Sequence, residues 1–109
     1  MIAGLEARLA QLAASGQTIT YGALARDLGL AGPGMIARLT QGLEMLMEQD
    51  AKTGAPLRAA LCVGRLNGDV PAIGFFDKAA ALGCIGLNDP VSFVVLERKR
   101  LFAQHNTCA

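Results

Sequence analysis

The chain contains no tryptophan, one tyrosine, four phenylalanines and a single histidine among its 109 residues. A core with so few rings has to be built mainly from aliphatic side chains, and a hydrophobic content of 52%, mostly Leu, Ala, Val, Ile and Met, supplies them. An excess of one charge is lacking too, since ten basic residues against nine acidic ones leave a formal net charge of +1. Domains built to hold nucleic acid usually declare themselves by a clear basic excess. Here the part up to residue 52 carries four basic and five acidic residues, and the remainder six and four, an imbalance too mild to name a partner. No apolar run approaches membrane-spanning length, and Glu6 and Arg8 interrupt the start of the chain where a signal peptide would be apolar. Cys62, Cys84 and Cys108 are far apart, odd in number and form no Cys-x-x-Cys pair. The expectation is a reduced, cytoplasmic protein of a single domain with no membrane association.

The groups that catalysis requires are also missing as a set. His105, the only histidine, has no Cys, Asp or Glu beside it. Cys62 lies in an apolar run, where a thiol behaves as a small hydrophobe unless a cation activates it. The nine carboxylates are scattered, without metal-ligand or acid–base spacing. Gly32-Pro33-Gly34 lacks the Lys-Ser/Thr ending of a phosphate-binding loop. No catalytic residue, metal ligand or cofactor is assigned, and an enzyme is the least supported class.

What is present is organised around Thr18–Leu30. Thr20 is placed as N-cap, with Ile19 at N′ and Leu24 at N4 forming a hydrophobic staple. Leu24, Ala25 and Leu28 give an apolar face, and Gly29 supplies a left-handed stop. Before this stretch, Ile2, Leu5, Leu9 and Leu12 recur at helical spacing, predicting a helix over residues 2–15 that ends at Gly16. After it, Ala31-Gly32-Pro33-Gly34 makes a turn. A long helix follows from Met35 to about Lys52, with Ile36, Leu39, Leu43, Leu46 and Met47 on one side. Two helices joined by a turn predict a helix-turn-helix, although Glu44, Glu48 and Asp50 make the second half of the long helix acidic.

Leu57–Val63 reads as a buried strand closed by Gly64. Asn67-Gly68 is the strongest short hairpin signal, because a type I′ turn needs positive φ at both positions. Pro71 keeps the return segment short. Ile73-Gly74-Phe75-Phe76 opens a helix to Leu82, with both rings as core anchors. Asp89-Pro90 starts a last helix to about Phe102, with Val91, Val94, Val95 and Phe102 facing inward and Glu97-Arg98-Lys99-Arg100 as a solvated turn.

The run from Thr18 to Leu30, the early Arg38, the small Gly42 and a strand carrying Cys62 together resemble the winged-helix domain of the alkylguanine-DNA alkyltransferases and alkyltransferase-like proteins. The likeness spans roughly residues 17 to 70 and is specific mainly at Thr20, Tyr21, Gly22 and Ala25. It implies a winged-helix fold, DNA binding, and a recognition-helix arginine that helps extrude a base. Leu61-Cys62-Val63-Gly64-Arg65 lacks that family's proline before and histidine after the cysteine, so alkyl transfer does not carry over. Pro71-Ala72-Ile73-Gly74-Phe75-Phe76, with Thr20 and Tyr21, is also similar to small uncharacterised bacterial proteins, which implies no activity.

The fold expected is α+β and winged-helix-like, with about five helices and a small β-hairpin over residues 1–103, then a flexible C-terminal tail over 104–109. The function expected first is a non-enzymatic DNA-binding domain on duplex DNA. Thr20, Tyr21 and Arg26 would lie near the backbone, Arg38 and Gln41 in the groove, and Arg58 and Arg65 on the wing. Four arginine–phosphate contacts would give a salt slope of about −3.6 and roughly a hundred-fold affinity loss between about 50 and 200 mM salt. The alternative is a protein-interaction or homodimerisation module on the same scaffold, suggested by the acidic half-helix and by Met35, Met45 and Met47.

Overall fold

The computed structural model describes residues 2–64, 70–84 and 89–106, with side chains as far as Gln104. The first helix, α1 (Leu5–Ser15), buries Leu5, Leu9 and Leu12, the stripe its spacing predicts. A two-residue strand β1 (Ile19–Thr20) leads into α2 (Tyr21–Asp27), and the Thr20 hydroxyl accepts the Ala23 N–H at 3.2 Å, completing the N-cap. Gly29, at φ 75°, turns the chain out of α2 where a side chain would be strained.

The long helix α3 (Met35–Thr53) buries Leu39, Leu43, Leu46 and Met47 but leaves Ile36, in its first turn, exposed. Ile36 therefore does not join the core stripe expected of it. Gly42 sets the closeness of α1 to α3, because a Cβ there would stand 3.0 Å from Ile2 Cδ1 and 3.3 Å from Leu5 Cδ2.

The strand expected over Leu57–Val63 is mostly a 3-10 turn (Arg58–Leu61), followed by the two-residue strand β2 (Cys62–Val63). The reason is visible in the hydrogen bonds. Donors that a ladder would need are taken by carboxylates: the Leu57 N–H goes to Glu97 at 2.8 Å, and the Arg58 N–H to Asp50 at 3.0 Å. β2 pairs parallel with β1, Ile19 opposite Cys62 and Thr20 opposite Val63, with α2 and α3 in the crossover that parallel pairing requires. The only ladder among the described residues is thus parallel and not a hairpin. The Asn67-Gly68 turn lies outside the described residues. On either side of it, the Gly64 N–H meets the Val70 carbonyl at 2.9 Å.

Helix α4 (Ile73–Ala81) anchors Phe75 in the core, with Phe76 half-buried against it edge-on at 5.3 Å. Helix α5 (Pro90–Asn106) begins as expected, the Asp89 carboxylate accepting the Ser92 N–H at 3.0 Å. It continues past Phe102 because nothing in Leu101–Asn106 breaks a helix, so residues 104–106 of the expected tail are helical, while 107–109 lie outside the described residues. Its inward face is also rotated from the one expected. Phe93, Val94, Glu97, Arg98 and Leu101 are buried, whereas Val91 and Val95 point out. Five helices and one two-stranded parallel sheet make a mostly helical α+β arrangement among the described residues, its core dominated by leucine.

Candidate functional site

The residues nominated for DNA contact fall into separate places. Thr20 and Arg26 line an open groove of about 660 Å³ between the start of α2 and the first turn of α3, where Met35 and Ile36 form the apolar wall. Arg26 is exposed and has no ion pair among the described residues. Tyr21 borders the same groove, but its hydroxyl oxygen accepts the Ala72 N–H at 3.1 Å. Burial pushes that phenol up to about 12, the Ala72 N–H opposing the shift. Tyr21 is therefore a brace between α2 and the segment before α4.

Arg38 and Gln41 lie along the outer side of α3, beside a shallow hollow of about 250 Å³ shared with Met45. Two residues are roughly 200° around a helix, so Arg38 points away from the groove that Ile36 faces. The Arg38 guanidinium donates to the Ala31 carbonyl at 2.9 Å, holding the turn between α2 and α3.

Arg58 is committed elsewhere. Its Nη2 stands 2.9 Å from Asp50 Oδ1 and its Nη1 2.8 Å from Glu6 Oε1, and the Asp50 carboxylate is buried. Burial alone would lower the Arg58 pKa, but these two carboxylates outweigh it and raise the value. The wing contact expected of Arg58 is replaced by a brace joining α1, α3 and the 3-10 turn. Arg65 lies outside the described residues. Thr20 and Arg26 are thus brought together, as are Arg38 and Gln41, but the two sets face different ways.

Other basic side chains are likewise tied into the fold. Arg8 pairs with Asp27 at 3.1 Å, Lys78 with Glu48 at 3.4 Å, and Arg100 with Glu97 at 3.4 Å while also donating to the Gly54 carbonyl at 3.2 Å. Arg98 is buried and donates to the Ala60 carbonyl at 2.8 Å. The solvated turn expected at Glu97–Arg100 is therefore in part a clamp on the 3-10 turn. Periodicity could have found it: Phe93, Val94, Glu97, Arg98 and Leu101 fall at i, i+1, i+4, i+5 and i+8, one helical stripe with two charges in it.

Nothing among the described residues assembles a reactive centre. Cys62 is buried and its thiol is pushed up to about 12 by burial, with Arg98 opposing weakly. Cys84 is half-buried and shifted upward by burial and then by Glu97. Among the described residues no three His, Cys, Asp or Glu side chains could hold a metal ion, and no helix is long and apolar enough to cross a membrane.

The outward face of α5 is the feature that inspection of the sequence missed. Val91, Val95 and Leu96 remain 56%, 45% and 49% exposed, whereas Phe93 and Val94 between them are buried. The outer side of the first half of α5 thus carries three exposed aliphatic side chains around the polar Ser92. Phe75 and Phe93, with ring centroids 6.2 Å apart, hold the starts of α4 and α5 together. Ile73, the first residue of α4, is 73% exposed. Of the three methionines read as surface candidates, Met47 is buried, Met35 half-buried and only Met45 exposed. Comparison of the chain with protein-family models, with curated proteins and with solved structures finds no match.

Proposed function

We propose that this chain is a non-enzymatic protein-interaction module built on a winged-helix-type helix-turn-helix scaffold, and that its contact surface is the outward face of α5. The observation that carries the reading is the exposure of Val91, Val95 and Leu96 on a helix whose other side is already in the core. Exposed apolar surface that is contiguous on one element marks interaction sites more often than accident. The scaffold part of the reading is supported by the Thr20-capped α2, the Gly29 stop and the long α3. Free thiols at Cys62 and Cys84 suit a reducing, cytoplasmic setting.

Duplex DNA is the second reading, favoured by the exposure of Arg26 and Arg38 on either side of the α2–α3 turn. Two phosphate contacts give a salt slope of only about −1.8, roughly a ten-fold affinity change between about 50 and 200 mM salt, against the hundred-fold of four. The near-neutral chain adds little steering.

The test is capture on the immobilised full chain from lysate of its native host, with Leu96→Glu as the control and circular dichroism to confirm that the variant is folded. Protein retained by the wild type and lost with Leu96→Glu is the expected result. Equal retention by both, or duplex binding at low salt that Arg26→Ala and Arg38→Ala abolish, would overturn the reading.

A further inference from the structure

We infer that the partner of the α5 face is a second copy of this chain, docked helix against helix about a two-fold axis with the two α5 helices antiparallel; this rests on the interaction reading above. Along the outer side of α5, Asp89, Ser92, Leu96, Lys99 and Ala103 recur at alternating spacings of three and four, and all are exposed. That is the seam period of two packed helices. The seam is self-complementary in one register. With the axis at the level of Val94, Asp89 of one copy faces Lys99 of the other, and Ser92 faces Leu96, because each pair lies symmetrically about that position. Acid meets base and small meets large, twice each. Asp89 and Lys99 are five residues from the centre, roughly 7.5 Å along the axis, which keeps both at the rim of the contact.

A two-fold contact sets one patch against itself, so a rim of one sign would repel. This rim carries both signs. Asp89 caps its own helix through Ser92 yet is fully open to solvent, and Lys99 has no ion pair among the described residues. Val95, 45% exposed, flanks the seam about 70° around the helix from its centre. The exposed parts of Val95 and Leu96 amount to roughly 200 Å² of apolar surface on each copy, so the contact is a small one and the dimer a weak one.

Sedimentation equilibrium of the full chain from about 10 to 500 µM tests the inference, with Leu96→Glu, Lys99→Glu and Lys99→Glu combined with Asp89→Asn. The wild type is expected to dimerise within this range and Leu96→Glu to stay monomeric. Lys99→Glu sets acid against Asp89 at both contacts and should weaken the dimer about ten-fold. Asp89→Asn, which keeps an N-cap residue, should recover most of that loss. A wild type that is monomeric throughout overturns the dimer. If that monomer still retains a host protein that Leu96→Glu releases, the interaction reading survives; if it retains none, both fall. A dimer indifferent to Leu96→Glu or Lys99→Glu overturns the seam.

Discussion

Replacing Arg58 with methionine separates a structural arginine from a wing contact. The variant keeps an apolar stem of similar length and removes the guanidinium. In the folded chain Arg58 Nε lies 3.1 and 3.2 Å from the two Asp50 oxygens, and its Nη2 stands 2.9 Å from Oδ1. The Asp50 side chain is only 6% exposed, so after the substitution its charge is left buried with the Arg58 N–H at 3.0 Å as its remaining partner from that residue. Removing one member of a buried pair costs about 3–5 kcal/mol. The Arg58 side chain is itself 26% exposed and the Glu6 arm 52%. Solvent screening leaves that outer arm worth at most about 1 kcal/mol. The partial exposure of Arg58 brings the loss at Asp50 toward the bottom of that range or just below it, and the outer arm adds at most its share of about 1 kcal/mol. A net loss of about 2–4 kcal/mol is expected, or roughly 10–20 °C in Tm for a domain of this size. Urea melts of wild type, Arg58→Met, Asp50→Asn and the double variant give the loss and the coupling between the two groups. If Arg58→Met changes stability by less than about 0.5 kcal/mol, as surface substitutions do, the brace is refuted and a ligand-facing Arg58 returns.

Alkaline pH should weaken the fold through Cys62 and Tyr21. Both acids have pKa values raised to about 12, from 9.0 and 10.0, so the stability tied to their neutral forms is complete below the unfolded values and is lost as pH rises toward 12. From Cys62 alone, urea melts at pH 10.5 should show about 2 kcal/mol less stability than at pH 8. Cys62→Ala should remove most of this slope, and an unchanged slope would contradict the assignment. Glu97→Leu should cost about 1–3 kcal/mol by leaving the Leu57 N–H without its acceptor, whereas Glu97→Gln keeps an acceptor and should cost less. Equal melts for the two variants would show that the Leu57 bond contributes nothing.

The features legible in the sequence are those whose causes are local. Thr20 caps α2 from three residues away, Gly29 ends it, and Asp89 caps α5 over a similar distance. The 57–63 segment departs from a strand because its backbone donors are claimed by Asp50 and by Glu97, the latter 40 residues beyond Leu57. No local pattern announces such a partner. For α5 the difficulty was ambiguity: Val91 with Val95 and Phe93 with Val94 each satisfy a helical period, and the face carrying Glu97 and Arg98 looked polar. The contact of Phe93 with Phe75, together with the Leu57 N–H and Ala60 carbonyl needing partners, selects that face. Nothing local marks Arg58 as a brace, since Glu6 lies 52 residues away and Asp50 sits within an otherwise outward-looking acidic stretch.

On the reading proposed above, contacts are made through α5 and not through the arginines beside the α2–α3 turn. Amide chemical shifts of the labelled chain, followed first with its own concentration and then with added random-sequence duplex at low salt, test this directly. The predicted result is concentration-dependent shifts at Val91, Ser92, Val95, Leu96 and Lys99, with no response to the duplex. Shifts at Arg26, Arg38 and Gln41 on adding duplex, with α5 silent at every concentration, would contradict it.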